Sequence, residues 1–318
     1  MRAARFHDWG AAPQLDEITE PVRGNGEVLV QMQAASLSHL DLSVASGTFG
    51  MHPSLPYIGG IEGSGHVLEC DDLPAGTQVL VRGGGVGLLR DGTWTERVSV
   101  PRKSITTLPH SLAPEVASTF YQPTSTAYVA LHDVARLHED ETVIVAGAAG
   151  AVGSQVVQQA LSAGAQVIGV VGSSAQIKRV ADRATPIALD DEEATAHLAD
   201  VRSASLLVDT LGGEGLASRA RWVRPGGRAV VIGYVVGTSV TLDLPSWLLE
   251  DVALLPVNMI RNERRAREVS GELIARLAAG ELHMEVDTFD LADIQHGLAL
   301  LRTGGLGGRG AIVFDADA

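Results

Sequence analysis

The chain has 318 residues, 45% of them hydrophobic and 19% charged, which provides apolar material for about two folded domains and excludes an intrinsically disordered protein. Its formal net charge of −14 argues against nucleic acid as a partner, because a phosphate backbone would be repelled. Cys70 is the single cysteine and no long apolar run is free of charge, so we expect a cytoplasmic protein without a membrane partner.

Residues 1–116 alternate short apolar segments with Gly and Pro turns. The predicted strands are Glu27–Met32, Gly65–Glu69, Gln78–Val81 and Arg97–Val100. Short strands at this spacing are typical of antiparallel, barrel-like folds, so we predict a β-rich first domain.

Residues 117–254 alternate β-branched runs with helical stretches. A helix from about Ala151 to Ala163 follows the first of the predicted strands, which are Thr142–Val145, Gln166–Val171, Leu206–Asp209 and Arg228–Ile232. Strands separated by helices indicate βαβ units, and therefore a parallel α/β sheet.

Residues 255–318 combine a helix at Glu263–Ala279 with a strand, a helix and a closing strand at Gly310–Phe314. We interpret this segment as a return of the chain to the first domain. Just before it, residues 238–244 alternate as an edge strand does, and an unpaired edge invites pairing.

The most specific motif is the turn between the strand at Thr142 and the helix at Ala151. Ala148, Gly150 and Gly153 stand at the key positions of an A/G-x-G-x-x-G pattern. Gly150 lets a pyrophosphate approach the backbone, Gly153 lets the helix pack against the strand, and the helix N-terminus attracts phosphate. The pattern predicts a dinucleotide site with contacts from Ala149, Gly150, Ala151, Val152 and Gly153.

The end of the second strand of this segment indicates which dinucleotide binds. An NAD site usually places an acid there, on the ribose 2′-hydroxyl. This stretch instead has Ser173 and Ser174, followed by Lys178 and Arg179. Hydroxyls and cations suit a 2′-phosphate, so we predict NADPH, although the two cations could also be ordinary solvated helix residues.

Several motifs spread over nearly the whole chain resemble those of one superfamily. They are Gly26–Val30, Ser38–Asp41 followed by Gly47, Leu55–Gly65, Gly92–Glu96, Thr126–Tyr128, Gly147–Gly153, Val208–Gly213 and Gly226–Gly233. As a set they resemble the medium-chain dehydrogenase/reductase superfamily, and within it the zinc-independent quinone oxidoreductases similar to ζ-crystallin. The resemblance implies a GroES-like β-rich domain, 1–116 with 255–318, and a Rossmann-type doubly wound domain, 117–254. It also implies a homodimer, because the family often pairs its sheet edges.

The same resemblance argues against catalytic zinc. Zinc-dependent members of the superfamily hold the metal with Cys and His, and the matching positions here are Ser38, Ile61 and Gln122. None of these suits a nitrogen and sulfur zinc site, so we expect no metal.

The resemblance also assigns site residues. Thr126, Gly233 and Tyr234 match positions near the nicotinamide. Related reductases often have Tyr where Phe49 stands, so Tyr57, Tyr121 and His39 are the remaining candidates for a proton donor. Asp41 either orients a neighbour or caps the helix that follows it.

We therefore expect an NADPH-dependent, zinc-free reductase of a small quinone or an α,β-unsaturated carbonyl. One alternative is an enoyl-thioester reductase, for which Arg261, Arg264, Arg265 and Arg267 could form a basic patch or only a solvated helix face. Another is a non-catalytic NADPH-binding protein.

Overall fold

The computed structural model describes residues 1–315, which form two compact units. The first unit contains residues 1–121 and the chain from 284 onward, and the second contains residues 122–283. The expected boundary at 254/255 is wrong, because residues 255–283 belong to the second unit. Arg265 there bonds Asp133 at 3.2 Å, and the His283 carbonyl accepts from Gln155 at 2.7 Å.

The strands of the described residues are β1 (Arg2–Phe6), β2 (Gln14–Glu17), β3 (Glu27–Leu37), β4 (Tyr57–Ile58), β5 (Glu62–Glu69), β6 (Gln78–Arg82), β7 (Arg97–Pro101), β8 (Ile105–Thr107), β9 (Thr142–Ala146), β10 (Gln166–Val171), β11 (Thr185–Ala188), β12 (Ala204–Asp209), β13 (Val223–Val231), β14 (Ala253–Pro256), β15 (Val286–Asp290) and β16 (Arg309–Val313). The α-helices are α1 (His39–Ala45), α2 (Pro114–Ala117), α3 (Tyr121–Tyr128), α4 (Ala151–Ser162), α5 (Glu192–Val201), α6 (Gly215–Ala220), α7 (Leu244–Glu250), α8 (Glu263–Ala278) and α9 (Ile294–Thr303). A π-helical turn covers Val129–Val134, and 3₁₀ turns cover Arg102–Ser104, Ser174–Arg179 and Leu291–Asp293.

The first unit is β-rich, as the sequence predicts. Its larger sheet has the order β15-β16-β3-β5-β6-β8, with β7 also paired to β3, and its smaller sheet has the order β2-β1-β4. The pairs are antiparallel except β15 with β16. Phe6 and Trp94 lie in the core of this unit, with ring centroids 5.8 Å apart.

The second unit is a six-stranded parallel sheet in the order β11-β10-β9-β12-β13-β14. Alternate residues of β9 enter different cores: Val143 and Val145 join one cluster, and Ile144 joins another. Both faces of the sheet are therefore buried, as in doubly wound folds. The strand order reverses beside β9, which is where such sheets bind ligands, outside the carboxyl ends of the strands.

The edge strand expected at 238–244 is wrong. Residues 238–243 form no strand, and Leu244 begins α7. The Asp243 side chain accepts from the Ser246 N–H at 3.1 Å, and Pro245 follows in the first turn, so the local sequence stabilises a helix start. The strands at the edges of the six-stranded sheet are β11 and β14.

Candidate functional site

The turn after β9 lies at the carboxyl edge of the parallel sheet and is fixed by hydrogen bonds to neighbouring strands. The Gly147 and Ala148 N–H groups donate to the Val170 carbonyl at 2.9 and 3.0 Å. Gly147 has φ +82°, and a Cβ there would lie 2.2 Å from Thr210 Oγ1, which itself donates to the Ala146 carbonyl at 2.8 Å. Glycine is therefore required at this position, both for its backbone conformation and for its lack of a side chain.

Gly150 and Gly153 have different surroundings. A Cβ on Gly153 would lie 2.0 Å from the Gly147 carbonyl oxygen, so only glycine lets α4 pack on the turn. A Cβ on Gly150 would meet only that oxygen, at 3.2 Å, and Gly150 is the N-cap of α4 with no side chain capping the helix. The first turn of a 12-residue helix thus presents its N–H groups and positive dipole beside open space, which fits the pyrophosphate of a dinucleotide.

The segment after β10 lies at the same edge. Ser173 is half-buried and Lys178 is exposed on the 3₁₀ turn, and Arg179 Nη2 donates to the Ala149 carbonyl at 3.0 Å. The structure therefore joins this turn directly to the glycine turn. The carboxylate of Asp190, a residue that no sequence motif indicated, accepts from Ser174 N at 3.0 Å and from Ser174 Oγ at 2.9 Å.

The ends of β12 and β13 complete this edge. The Asp209 carboxylate is fully buried and accepts from the Gly212 N–H at 2.7 Å and from Arg219 Nε at 2.5 Å, which holds the turn after β12. A Cβ on Gly233 would lie 2.4 Å from the Thr210 carbonyl oxygen. Gly233 therefore lies close to the turns after β9 and β12, and Tyr234 beside it is half exposed.

Thr126 lies buried on α3. Two residues earlier, the Thr124 carbonyl accepts from Gln159 Nε2 of α4 at 3.0 Å. The helix that carries Thr126 is thus fastened to the helix that begins at the glycine turn. The contact of Thr126 with the nicotinamide stays a prediction, as do the contacts of Gly233 and Tyr234.

In the first unit, Asp41 lies in the first turn of α1 rather than at its N-cap, and it orients its neighbours by hydrogen bonds. Ser38 is the N-cap of α1, and its hydroxyl donates to the Asp41 carboxylate at 2.6 Å within a capping box. The other carboxylate oxygen accepts from the Ile61 N–H at 3.1 Å, which ties α1 to the loop before β5. Burial raises the pKa of Asp41 to about 6, against the lowering effect of these hydrogen bonds.

Asp41 belongs to a buried charge cluster with Glu62 and Arg309, two residues that no sequence motif indicated. Glu62 is fully buried and accepts from the Tyr121 N–H at 2.9 Å. Arg309 is 6% exposed, and its Nε and Nη2 have no hydrogen-bond partner among residues 1–315. Burial lowers the pKa of Arg309, while the negative charges of Glu62 and Asp41 counteract this shift.

The three candidate proton donors lie in different environments. His39 is exposed at the start of α1, where desolvation by the surrounding protein and the charge of Arg309 lower its pKa. Tyr57 is buried against Phe6, with ring centroids 5.2 Å apart, and burial raises its pKa. Tyr121 is buried beneath Arg82, whose guanidinium lies 4.2 Å from the ring centroid. Of the three residues, His39 is the exposed one.

Two of the three positions that the resemblance aligns with zinc ligands have structural contacts here. Ser38 and Ile61 are both bonded to Asp41, and Gln122 lies on α3. Across residues 1–315, no three His, Cys, Asp or Glu side chains are grouped so that they could hold a metal ion. Over the same residues, no helix has the length and apolar character needed to span a bilayer.

Two family models match the chain, one in each unit. Residues 24–110 match the alcohol dehydrogenase GroES-like domain, and residues 151–276 match the zinc-binding dehydrogenase domain. The second match begins at Ala151, the first residue of α4, and the first match covers the β-rich segment, so both agree with the fold class that the motifs predict.

The individual proteins that the chain resembles in sequence include two reductases and a synaptic vesicle membrane protein homolog. The mitochondrial enoyl-[acyl-carrier-protein] reductase of Rattus norvegicus is 27% identical over 72% of this chain and 63% of its own length. Prostaglandin reductase-3 of Bos taurus is 29% identical over 86% of this chain and 74% of its own length. The human synaptic vesicle membrane protein VAT-1 homolog is 29% identical over 67% of this chain, and the match spans 55% of the length of that protein.

The fold is also that of solved structures. Escherichia coli quinone oxidoreductase, crystallised with NADPH, superposes with a TM-score of 0.87 over 99% of this chain and 100% of that one, at 20% identity. At this identity the likeness establishes the architecture alone.

Proposed function

Since the chain belongs to the medium-chain dehydrogenase/reductase superfamily, we propose that it is an NADPH-dependent, zinc-free reductase. Its proposed substrate is a small quinone or an α,β-unsaturated carbonyl. The observation that carries this proposal is the uncapped start of α4, open beside Gly150, at the reversal point of the parallel sheet.

The choice of NADPH rests on the turn that follows β10. Ser173 and Lys178 contribute a hydroxyl and a cation there, and Arg179 lies against the glycine turn through Ala149. A dianionic 2′-phosphate would gain from these charges, whereas a 2′-hydroxyl would gain much less. The NADPH in the E. coli enzyme is consistent with this preference.

When bound, a reduced nicotinamide would supply hydride to an electron-poor carbon of the substrate. The residues of this chain would provide position rather than strong acid–base chemistry. Gly150 and the first turn of α4 would hold the pyrophosphate, and Thr126, Gly233 and Tyr234 would fix the nicotinamide ring. Holding reactants at near-attack distance can contribute up to roughly 7–11 kcal/mol.

Protonation of the product is the second role for the chain. His39 is exposed and can take up a proton from solvent, whereas Tyr57 and Tyr121 are buried. Water can protonate an enolate or hydroquinone as well, so we propose that no single side chain is essential for this step.

An enoyl-thioester reductase is the second candidate, favoured by the likeness to the mitochondrial enoyl-[acyl-carrier-protein] reductase. A carrier-protein or CoA substrate needs a basic surface, and the sequence predicts one at the arginines in and just before α8. Three of the four arginines predicted for this patch are paired with acids: Arg264 lies near Glu268, Arg265 bonds Asp133, and Arg267 bonds Glu263. This pairing favours the solvated helix face, and so the small-molecule substrate. A non-catalytic NADPH-binding protein stays the third candidate.

We further propose a cytoplasmic homodimer. Three leucines of α7 are exposed, Leu244 by 64%, Leu248 by 77% and Leu249 by 85%. An apolar helix face of this kind, on the helix that precedes the edge strand β14 in the chain, is suited to burial against a second copy. A monomeric mass by light scattering at micromolar concentration would remove this proposal.

The main test is NADPH oxidation with a panel of quinones, enones and enoyl-CoA esters. Turnover of quinones or enones well above that of the thioesters supports the proposal. Preference for the thioesters supports the second candidate, and NADPH binding without any turnover supports the third.

The cofactor assignment has its own test in Lys178→Ala. Loss of this exposed cation should weaken NADPH binding by roughly tenfold, the size expected for one lost charge on a phosphate, and change NADH binding little. A wild-type preference for NADH would overturn the NADPH assignment.

A further inference from the structure

One acidic side chain lies among the groups that would hold the adenosine end of the cofactor. Asp190 follows β11, which pairs in parallel with β10 so that Ala188 lies opposite Val171. The Asp190 carboxylate therefore lies beside the turn after β10, although 16 residues separate it from Ser174.

The contact between these two residues is extensive. Ser174 N lies 3.0 and 3.1 Å from the two carboxylate oxygens, and Ser174 Oγ donates to one of them at 2.9 Å. These hydrogen bonds lower the pKa of Asp190, so the exposed carboxylate is ionised at neutral pH. A backbone N–H and a hydroxyl that could serve an anionic ligand are thus already occupied by an anion of the protein.

Among the residues that the structure describes, no cation forms an ion pair with this carboxylate. Arg179 donates to the Ala149 carbonyl, and no bond between Lys178 and Asp190 is present among the contacts of the described residues. A ribose 2′-phosphate at this turn would meet the Asp190 charge and would compete with it for Ser174. A 2′-hydroxyl carries no charge and can instead donate to a carboxylate.

We propose that Asp190 is a specificity-determining residue of the dinucleotide site, which weakens NADPH binding relative to NADH by holding Ser174 and repelling the 2′-phosphate. This inference rests on the proposed function only in assuming that a dinucleotide binds at this edge of the sheet. The measured cofactor preference is then a balance between Lys178, which favours the phosphate, and Asp190, which opposes it.

The test is equilibrium binding of four probes, NADPH, NADH, 2′,5′-ADP and 5′-AMP, to the full chain, without turnover. In Asp190→Asn the charge is lost while an oxygen acceptor for Ser174 remains. We expect NADPH and 2′,5′-ADP to bind roughly tenfold more tightly, the size expected for removing one like charge close to a phosphate in water-exposed surroundings. NADH and 5′-AMP should change less than about twofold, because they lack the 2′-phosphate.

Glu193→Gln is the matched control. Glu193 is an exposed acid in the first turn of α5, so the variant removes the same charge a few residues away. It should leave the affinity ratio of 2′,5′-ADP to 5′-AMP unchanged. Asp190→Ser, a second variant with a shorter polar side chain, should reproduce the shift of Asp190→Asn.

The outcomes separate the two proposals. If both cofactors bind to Asp190→Asn and Asp190→Ser with wild-type ratios, the role of Asp190 is overturned while the dinucleotide site stands. If Glu193→Gln shifts the ratio as much as Asp190→Asn, the effect is general electrostatics and the specific role is overturned. If none of the four probes binds to wild type at millimolar concentration, the dinucleotide site itself is wrong, and the inference is overturned with it.

Discussion

Replacing Gly150 with valine should abolish dinucleotide binding while the turn that forms the site stays folded. The protein itself leaves room for the change, because a Cβ on Gly150 would meet only the Gly147 carbonyl oxygen, at 3.2 Å. The backbone of Gly150, with φ −81° and ψ 170°, is also open to valine. The new methyl groups would enter the open space beside the start of α4, which is where we propose that the pyrophosphate binds.

The expected magnitudes differ strongly between folding and binding. A tight contact and a poorer N-cap should together cost about 1–2 kcal/mol of stability. For a unit of this size that lowers Tm by roughly 2–8 °C. NADPH binding should weaken by at least about 100-fold, or roughly 2.7 kcal/mol, because the phosphate loses its place on the helix N-terminus.

Gly153 gives the contrasting case. A Cβ there would lie 2.0 Å from the Gly147 oxygen and 2.7 Å from its carbonyl carbon, so Gly153→Val must displace backbone and should unfold the turn. Gly271, on α8, has no atom within 4 Å of an added Cβ. Gly271→Val is therefore the matched control and should bind NADPH as wild type does.

The assay is a fluorescence titration of NADPH paired with thermal unfolding of each variant. Gly150→Val should remain folded and lose the cofactor. If it binds NADPH with wild-type affinity while its Tm falls within the expected range, the turn is not the pyrophosphate site and the reasoning is refuted.

Three further predictions concern the first unit and the metal. The pKa of Asp41 in the folded protein is raised to about 6 from 3.8, so between these pH values the native state binds a proton that the unfolded state has lost. The free energy of unfolding should therefore fall as pH rises from about 4 to 6, by roughly 3 kcal/mol over the whole range. Urea unfolding across this pH range should show that slope in wild type and lose it in Asp41→Asn; equal slopes would contradict the assignment. His39→Ala, Tyr57→Phe and Tyr121→Phe should each lower turnover by less than the ~10²–10⁴-fold expected of an essential acid–base group. If one of them abolishes turnover with NADPH still bound, that residue is the proton source. Elemental analysis should find no stoichiometric zinc, and a chelator should leave activity intact; about one zinc per chain would reject the zinc-free mechanism.

The positions of several central elements could be predicted from the sequence. Thr142–Val145 and Gln166–Val171 were recognised as strands, and the helix after the glycine turn begins at Ala151 as expected. Such predictions succeed because strand and helix periodicity, and the steric demand for glycine at Gly153, are local properties of the chain. Residues 238–244 show the limit of this reasoning, since alternation alone did not reveal the helix cap at Asp243.

By itself the sequence determined the glycine turn, the strand before it and the helix after it, because those depend on residues within a few positions of each other. Only the tertiary structure decided which distant charges join the site. Ser174 meets Asp190 because β10 and β11 lie side by side, and Glu62 meets the backbone of Tyr121 across 59 residues of chain. Pairing of strands and burial of charge depend on the whole folded sheet, and no local pattern in the chain records which side chains they bring together.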